Sequence, residues 1–466
     1  MSMVHVAVIS VELAALVLVP VILLQRKEPV STFAWILTLL FLPGLGALLF
    51  LLFGRVTIRE VRSARASANA KAPVPLATPG PLDAPDVATD CFRIARVLTH
   101  SASTLGNGLV VLEDGDAAYR ALGAAIDAAQ WEINAEYYLI KDDDIGRWFR
   151  DRLISAANRG VKVRLLYDGI GSLAIGRRWT RSLRSAGAET MSFSPLRRAL
   201  VTSPNLRNHR KIVVIDREIA FTGGINICNE HSQAHSGDTA WRDIHLRIQG
   251  PAVNALFNIF STDWAWVTQK FLKPQADRTQ GDGSGSRVAV VPAGPDSHGA
   301  VIHRLFFTAI AGARSSVRIV SPYFGPDETL LVALEMVAQR GVAVEMILPA
   351  RSNHRVTFHA GRSLYERLLE AGVVICEYQP RMIHAKLLVI DDALALIGSS
   401  NMDLRSFRLN FEVTVLIECK ETLSRLRSIF DEYQAHSQRI VLEQWRRRGL
   451  KLTLKEGAAR LLSPLL

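Results

Sequence analysis

One polar pattern occurs twice in this chain, and any fold it adopts must find a use for both copies. The first reads HRKIVVIDREIAFTGGIN from His209 to Asn226, the second HAKLLVIDDALALIGSSN from His384 to Asn401. In each, Lys follows His by two residues, Asp by seven and Asn by seventeen. Side chains two apart on a strand share a face. The Leu, Val and Ile content of residues 385–390 predicts a strand, so His384 and Lys386 project together. Asp391 and Asp392 then close a two-residue hairpin, with residues 393–397 returning. That register sets Ser399 opposite His384 and brings Asn401 back beside it. In the first copy it sets Gly224 opposite His209, where the missing side chain leaves room for substrate. A nucleophile, a fixed cation and hydrogen-bonding side chains around one point suit a phosphate. A hairpin that serves packing alone has no reason to repeat a polar set at fixed offsets.

The repeat extends outward from the motifs. Residues 116–129 have helical apolar spacing, 133–140 read as a strand, 145–158 as a helix closed by Gly160, and 161–167 as a strand. The second half repeats the order: a helix over 300–311, a strand over 317–323, a helix over 330–339 and a strand over 342–348. Arg159-Gly160-Val161 matches Arg340-Gly341-Val342. The pattern is a duplicated α/β unit.

Residues 3–24 are almost wholly apolar apart from Glu12 and Pro20, and residues 32–53 carry no charge. Each stretch is long enough to cross a bilayer, and the short basic segment between them predicts a helical hairpin. Arg55, Arg59, Arg62, Arg65 and Lys71 follow, which by the positive-inside rule puts the catalytic part on the cytoplasmic face. The segments expected are two transmembrane helices (1–58), a linker (59–92), a first lobe (93–272), an inter-lobe linker (273–286), a second lobe (287–440) and a basic amphipathic tail (441–466). The tail suits either an anionic membrane interface or packing on the domain. A net charge of +11 implies an anionic partner. Four scattered cysteines give neither a disulfide framework nor metal-ligand spacing.

Two HxKxxxxD motifs, each followed by a small-residue turn ending in Asn, resemble the phospholipase D superfamily. EYYLIKDDDIG, GVKVRLLYDGIGS, NLRNHRK and the paired apolar segments make the chain similar, in order along its length, to bacterial-type cardiolipin synthases. Arg217 and the Asn229-Glu230-His231 segment depart from that pattern. The resemblance implies an α/β fold of two duplicated phospholipase D-like α-β-α lobes with central mixed sheets, preceded by the transmembrane hairpin. It implies transfer of a phosphatidyl group between phosphatidylglycerol molecules in an anionic membrane, without cofactor or metal. A hydrolytic phospholipase D, or transfer to another alcohol, is the alternative. A nucleic-acid phosphodiesterase fits less well, because basic stripes interleaved with stacking aromatics are missing.

In this reading one histidine attacks phosphorus and the other protonates the leaving oxygen. His209, Lys211, Asp216, His384, Lys386 and Asp391 form the motif set, with His209 assigned as nucleophile and the two aspartates read as structural. Asn226, Ser399 and Asn401 bind phosphate oxygens. Each imidazole needs a carboxylate on its other nitrogen. The resemblance offers Glu412 for His384 and Asp243, with Asp238 as a rival, for His209. Tyr138, Arg405, Ser406 and Asn410 are further candidates for the pocket wall.

Overall fold

The computed structural model describes residues 17–24, 29–51, 86–193, 206–272, 285–296 and 300–461. Two hairpins organise it. Strands Lys211–Ile215 and Ile219–Gly223 form the first, Leu387–Ile390 and Leu394–Gly398 the second. Both turn at a pair of residues with positive φ, Asp216-Arg217 and Asp391-Asp392, the geometry of a type I′ turn. Each return strand carries one extra residue, Glu218 or Ala393, so Ile215 pairs with Ile219 and Ile390 with Leu394. The register is therefore one residue off the expected one, and the residue after the turn, not the turn itself, is the cause. A one-residue slip exchanges the faces of a strand, and the site below records the result.

Each hairpin is flanked by parallel strands. In the first half Glu132–Tyr137 pairs antiparallel with Lys211–Ile215 and parallel with Lys162–Tyr167. In the second half Ser316–Val320 pairs antiparallel with Leu387–Ile390 and parallel with Ala343–Pro349. The two halves do not keep separate sheets, as the sequence led us to expect. Strand Ser286–Ala293 pairs with Asn410–Glu418 on one side and Thr104–Leu112 on the other, so one 16-stranded mixed sheet runs through both halves. Neither half leaves a free edge at the join.

Successive residues of Leu387–Ile390 face opposite sides of this sheet. Leu388 and Ile390 enter the core beneath helices Val301–Gly312 and Glu328–Gln339. Leu387 and Val389 enter a second core that also holds Ile212, Val214, Leu246 and Ile248 of the first half. Each such buried side chain contributes roughly 1.5–3 kcal/mol of transfer free energy. The shared core makes the halves one packing unit.

None of the described helices is long and apolar enough to cross a membrane. The expected second span runs as two helices, Pro29–Phe41 and Pro43–Leu49, because Pro43 lacks an N–H and opens a new helix. Most of the first span and the basic flank lie outside the described residues. Ile22, Leu39 and Phe50 pack together, while Leu24, Phe33, Leu40 and Phe41 stay exposed. Helix Val87–Thr99, capped by Asp86, begins within the stretch read as linker and buries Val87, Ala88, Cys91 and Phe92. At the other end, helices Leu442–Arg446 and Leu450–Leu461 pack on the second half. Trp445 stacks on Tyr365, and buried Glu456 pairs with Arg362 and Arg448.

Candidate active site

The two motif histidines stand just before strands Lys211–Ile215 and Leu387–Ile390, where the halves cross. Arg207-Asn208 pairs in parallel with Asn410-Phe411, and the His209 N–H donates to the Phe411 carbonyl at 2.9 Å. Symmetrically, Arg242 bridges Ile383, and the His384 N–H donates to the Arg242 carbonyl at 2.6 Å. Each half thus delivers its carboxylate to the other half's histidine. Glu412 Oε2 lies 3.0 Å from His209 Nδ1, and Asp243 Oδ2 lies 2.6 Å from His384 Nδ1. The expectation that each histidine uses its own half's carboxylate is corrected by this exchange. Its cause is the pairing of segments far apart in the chain: the contacts span 203 residues for His209–Glu412 and 141 for His384–Asp243. Asp238 lies in an exposed 3₁₀ turn and makes neither contact.

The surroundings of the two rings differ. His209 Nδ1 faces two acceptors, Glu412 and the Ser399 carbonyl at 3.1 Å, so Nδ1 carries the proton and Nε2 keeps a lone pair. The neighbouring Arg210 ion-pairs with buried Asp263 and donates to the carbonyls of Glu412 and Ala293 at 3.0 Å each. In the second half Ala385 stands in place of Arg210. Lys386 Nζ lies 2.7 Å from His384 Nδ1 and 3.6 Å from Asp243 Oδ2.

Ser399 departs from its expected role. It is fully buried and donates its hydroxyl to Glu412 Oε2, while accepting the Val413 N–H at 3.0 Å. The register slip carries it behind the histidines and away from a substrate phosphate. Gly224, its counterpart, likewise leaves no space for substrate. A Cβ there would lie 2.1 Å from Asp243 Oδ1, so the vacancy belongs to the carboxylate. Asp216 and Asp391 sit at the far ends of the hairpins. Asp216 accepts the backbone N–H groups of Gln130, Trp131 and Glu132, and Asp391 those of Arg314, Ser315 and Ser316.

Burial dominates the electrostatics. It pushes both imidazoles down, His384 well below the usual range with help from Lys386 and Lys211. It lowers the Lys211 ammonium to about 7 and Lys386 to about 8. Burial also pushes Glu412 up, but His209, Lys211 and the Ser399 hydroxyl outweigh it and hold the carboxyl below its ordinary value. A phosphodiester anion between the histidines restores charge to the amines that burial disfavours.

His209, His384, Asn226 and Asn401 open on one cavity of about 480 Å³, within the ordinary range for small-molecule sites. Tyr138, Arg405 and Asn410 line it, whereas Ser406 is buried and donates to no substrate position; its Oγ accepts the Asn401 N–H at 3.1 Å. The side-chain carbonyls of Asn226 and Asn401 are buried without a hydrogen-bond partner among the described residues.

The wall residues that were not foreseen include Arg207, Trp241, Tyr323 and His354. The rings of Trp241 and Tyr323 lie 5.0 and 6.1 Å from that of His384. His231, deeply buried, sits 5.3 Å from His384 and 3.9 Å from Asp243. Only its departure from the familiar pattern marked it in the sequence. His231, Asp243 and His384 place ligand atoms within 4.8 Å of one another, a spacing that can bracket a cation. Lys386 already supplies positive charge at that point.

Two histidines, two amines and two crossed carboxylates on a duplicated α/β sheet define a phospholipase D-type phosphodiester site. The family model "Cardiolipin synthase, PLD-like domain" matches residues 122–264 and 306–434, and "Phospholipase_D-nuclease N-terminal" matches residues 13–55. A cardiolipin synthase of Alkalihalophilus pseudofirmus is 37% identical over 460 residues, covering 96% of this chain and 91% of the relative. One from Geobacillus kaustophilus is 36% identical with the same coverage. The solved phosphatidylserine synthase of Haemophilus influenzae has the same fold, with a TM-score of 0.61 at 15% identity over 81% of this chain and 100% of its own. The chain belongs to the cardiolipin synthase family.

Proposed function

We propose that the two histidines carry out phosphatidyl transfer in two steps, with His209 as nucleophile. The activity is that of a cardiolipin synthase, a phosphatidyltransferase. His209 Nε2 attacks phosphorus of one phosphatidylglycerol, and the bond to its glycerol oxygen breaks. The bound phosphate anion favours the protonated form of His384 that burial alone disfavours, and the departing oxygen takes that proton and leaves as glycerol. His384, now neutral, accepts the proton of a hydroxyl on a second phosphatidylglycerol. The new oxygen–phosphorus bond forms as the phosphorus–nitrogen bond to His209 breaks. Lys211, Lys386, Asn226 and Asn401 bind the non-bridging oxygens as charge develops. Asp243 and Glu412 orient the imidazoles and offset their positive charge.

The observation that carries this reading is the crossed pairing. It commits one carboxylate to each Nδ1 and brings both rings to the wall of a common cavity. The exposed apolar side chains of the N-terminal helices and the net charge of +11 support a site held at an anionic membrane.

The test is purified protein in phosphatidylglycerol vesicles, with products resolved by mass spectrometry. Cardiolipin and glycerol in equal amounts are expected. Phosphatidic acid as the main product would make water the acceptor and refute the transferase assignment.

A further inference from the structure

The reacting groups are duplicated, but two cations in the same cavity are not. Arg207 lies two residues before His209, where the second half has Met382 before His384. Arg405 lies four residues after Asn401, where the first half has Glu230 after Asn226. Glu230 is turned to another purpose, an ion pair with Lys141.

The fold brings the two unrepeated arginines to one wall. Arg207 opens the two-residue strand that pairs with Asn410-Phe411, and Arg405 is in the helix Leu404–Arg408 that leads into that same strand. Both line the cavity with Tyr138 and Asn410, and both are half-buried. Burial lowers the Arg207 guanidinium, Asp168 opposes this, and Arg405 lowers it further. The two guanidiniums share one half-buried wall of the cavity, a placement that suits an anion.

In the proposed reaction the attacked phosphate already has Lys211 and Lys386 as its cations. Lys386 Nζ lies 3.6 Å from Asp243 Oδ2, and Lys211 feels the charge of Glu412. A symmetric centre suits a phosphoryl group that both histidines handle in turn. An additional, one-sided pair of cations suits the reactant that is not attacked. In the proposed reaction that reactant is an acceptor alcohol which carries a phosphodiester of its own.

We infer that Arg207 and Arg405 form a subsite for the phosphate of the acceptor lipid, which favours an anionic lipid alcohol over water or free glycerol. The inference rests on the phosphatidyl-transfer reading above. The arginines take no part in bond making. They lower the KM for the acceptor and raise its share of the phosphohistidine intermediate.

The test compares two acceptors in one reaction. Full-length protein is given phosphatidylglycerol vesicles together with deuterated free glycerol. Cardiolipin reports the anionic acceptor, and deuterated phosphatidylglycerol reports the neutral one. For Arg405→Gln and, separately, Arg207→Gln, the ratio of cardiolipin to deuterated phosphatidylglycerol is expected to fall at least about tenfold. The apparent KM for the acceptor rises, and Arg405→Lys restores much of the ratio. Continued glycerol exchange shows that each variant is folded. An unchanged ratio in both variants, with the two products falling together, would put the arginines in the donor step and overturn the subsite. A wild-type protein that forms neither product would instead refute phosphatidyl transfer itself, and the subsite with it.

Discussion

His209 and His384 occupy equivalent places in a duplicated chain, yet their supports are unequal. The Nδ1 of His209 meets two acceptors, and the adjacent Arg210 is pinned by Asp263 and two carbonyls. His384 has one acceptor, a lysine ammonium 2.7 Å from its Nδ1 and Ala385 as its neighbour. Its ring packs among His231, Trp241 and Tyr323. A ring with a fixed tautomer and a held backbone suits the making and breaking of a bond to phosphorus. A ring beside a titratable cation suits the movement of a proton. Duplication supplied two identical groups, and their surroundings have diverged in the way the proposed division of tasks requires.

The largest effects test that assignment. Asn in place of either histidine is expected to lower turnover by at least about 10³-fold. The two variants should differ in what accumulates. With labelled phosphatidylglycerol and an alkaline quench, His384→Asn retains label on His209, whereas His209→Asn retains none. Label on His384 in the His209→Asn protein would reverse the roles.

A smaller contrast concerns the carboxylates. Gly224→Ala drives a Cβ into Asp243 Oδ1 and should displace that carboxylate from His384, at a cost of about 10²-fold in turnover. Ser399→Gly, the equivalent change in the other half, removes a hydroxyl from Glu412 but crowds nothing. Glu412 keeps His209 and the Asn410 amide, at 3.1 Å, and the loss should stay below about tenfold. Equal losses in the two variants would mean that the carboxylates are not unequally supported.

These positions also mark where the sequence stops being informative. The His, Lys and Asn offsets are local and were legible, as was the duplicated helix and strand order. The histidine partnerships were legible only in part: Glu412 and Asp243 were named, but each for the other histidine. They depend on Arg207-Asn208 lying beside Asn410-Phe411 and Arg242 beside Ile383, and no local pattern encodes those pairings. The turn at Asp391-Asp392 was legible as a two-residue hairpin, but the extra residue after each turn was not. That single residue moved Ser399 from the substrate to Glu412. His231, Trp241 and Tyr323 carry no spacing signal, since an aromatic beside an active site and one in a core read alike.

The lysines give a pH contrast. In the proposed mechanism each binds phosphate in its cationic form, and burial lowers Lys211 to about 7 and Lys386 to about 8. Below these values the amines are charged, and above them the charge is lost. kcat/KM, which reports the unliganded enzyme, should therefore decline as pH rises past about 7–8. Lys211→Arg should move the first part of that decline to higher pH, because a guanidinium stays protonated there. A pH profile unaltered by Lys211→Arg would assign the decline to Lys386 or to neither.

The least effect on turnover is expected where the motif looks most catalytic. Asp216 and Asp391 complete the HxKxxxxD signature, but each is spent on three backbone N–H groups at the hairpin end remote from the histidines. Those N–H groups open strands Glu132–Tyr137 and Ser316–Val320, and the aspartate joins the turn to the neighbouring strand. Burial pushes the Asp391 carboxyl up, but the N–H groups of Ser316, Ser315 and Arg314 more than offset it and hold it below the usual range. A depressed carboxylate stabilises the fold above its unfolded value, about 3.9, and that contribution is lost as pH falls through the lower, folded value. Asp391→Asn should leave kcat within about twofold. It should lower stability by about 1 kcal/mol, since the turn is partly exposed, and flatten the loss of stability below about pH 4. Thermal unfolding followed across pH 3 to 7, beside turnover at neutral pH, separates these effects. A large fall in kcat with unchanged unfolding would make the aspartate part of the chemistry and end its reading as a hairpin clasp.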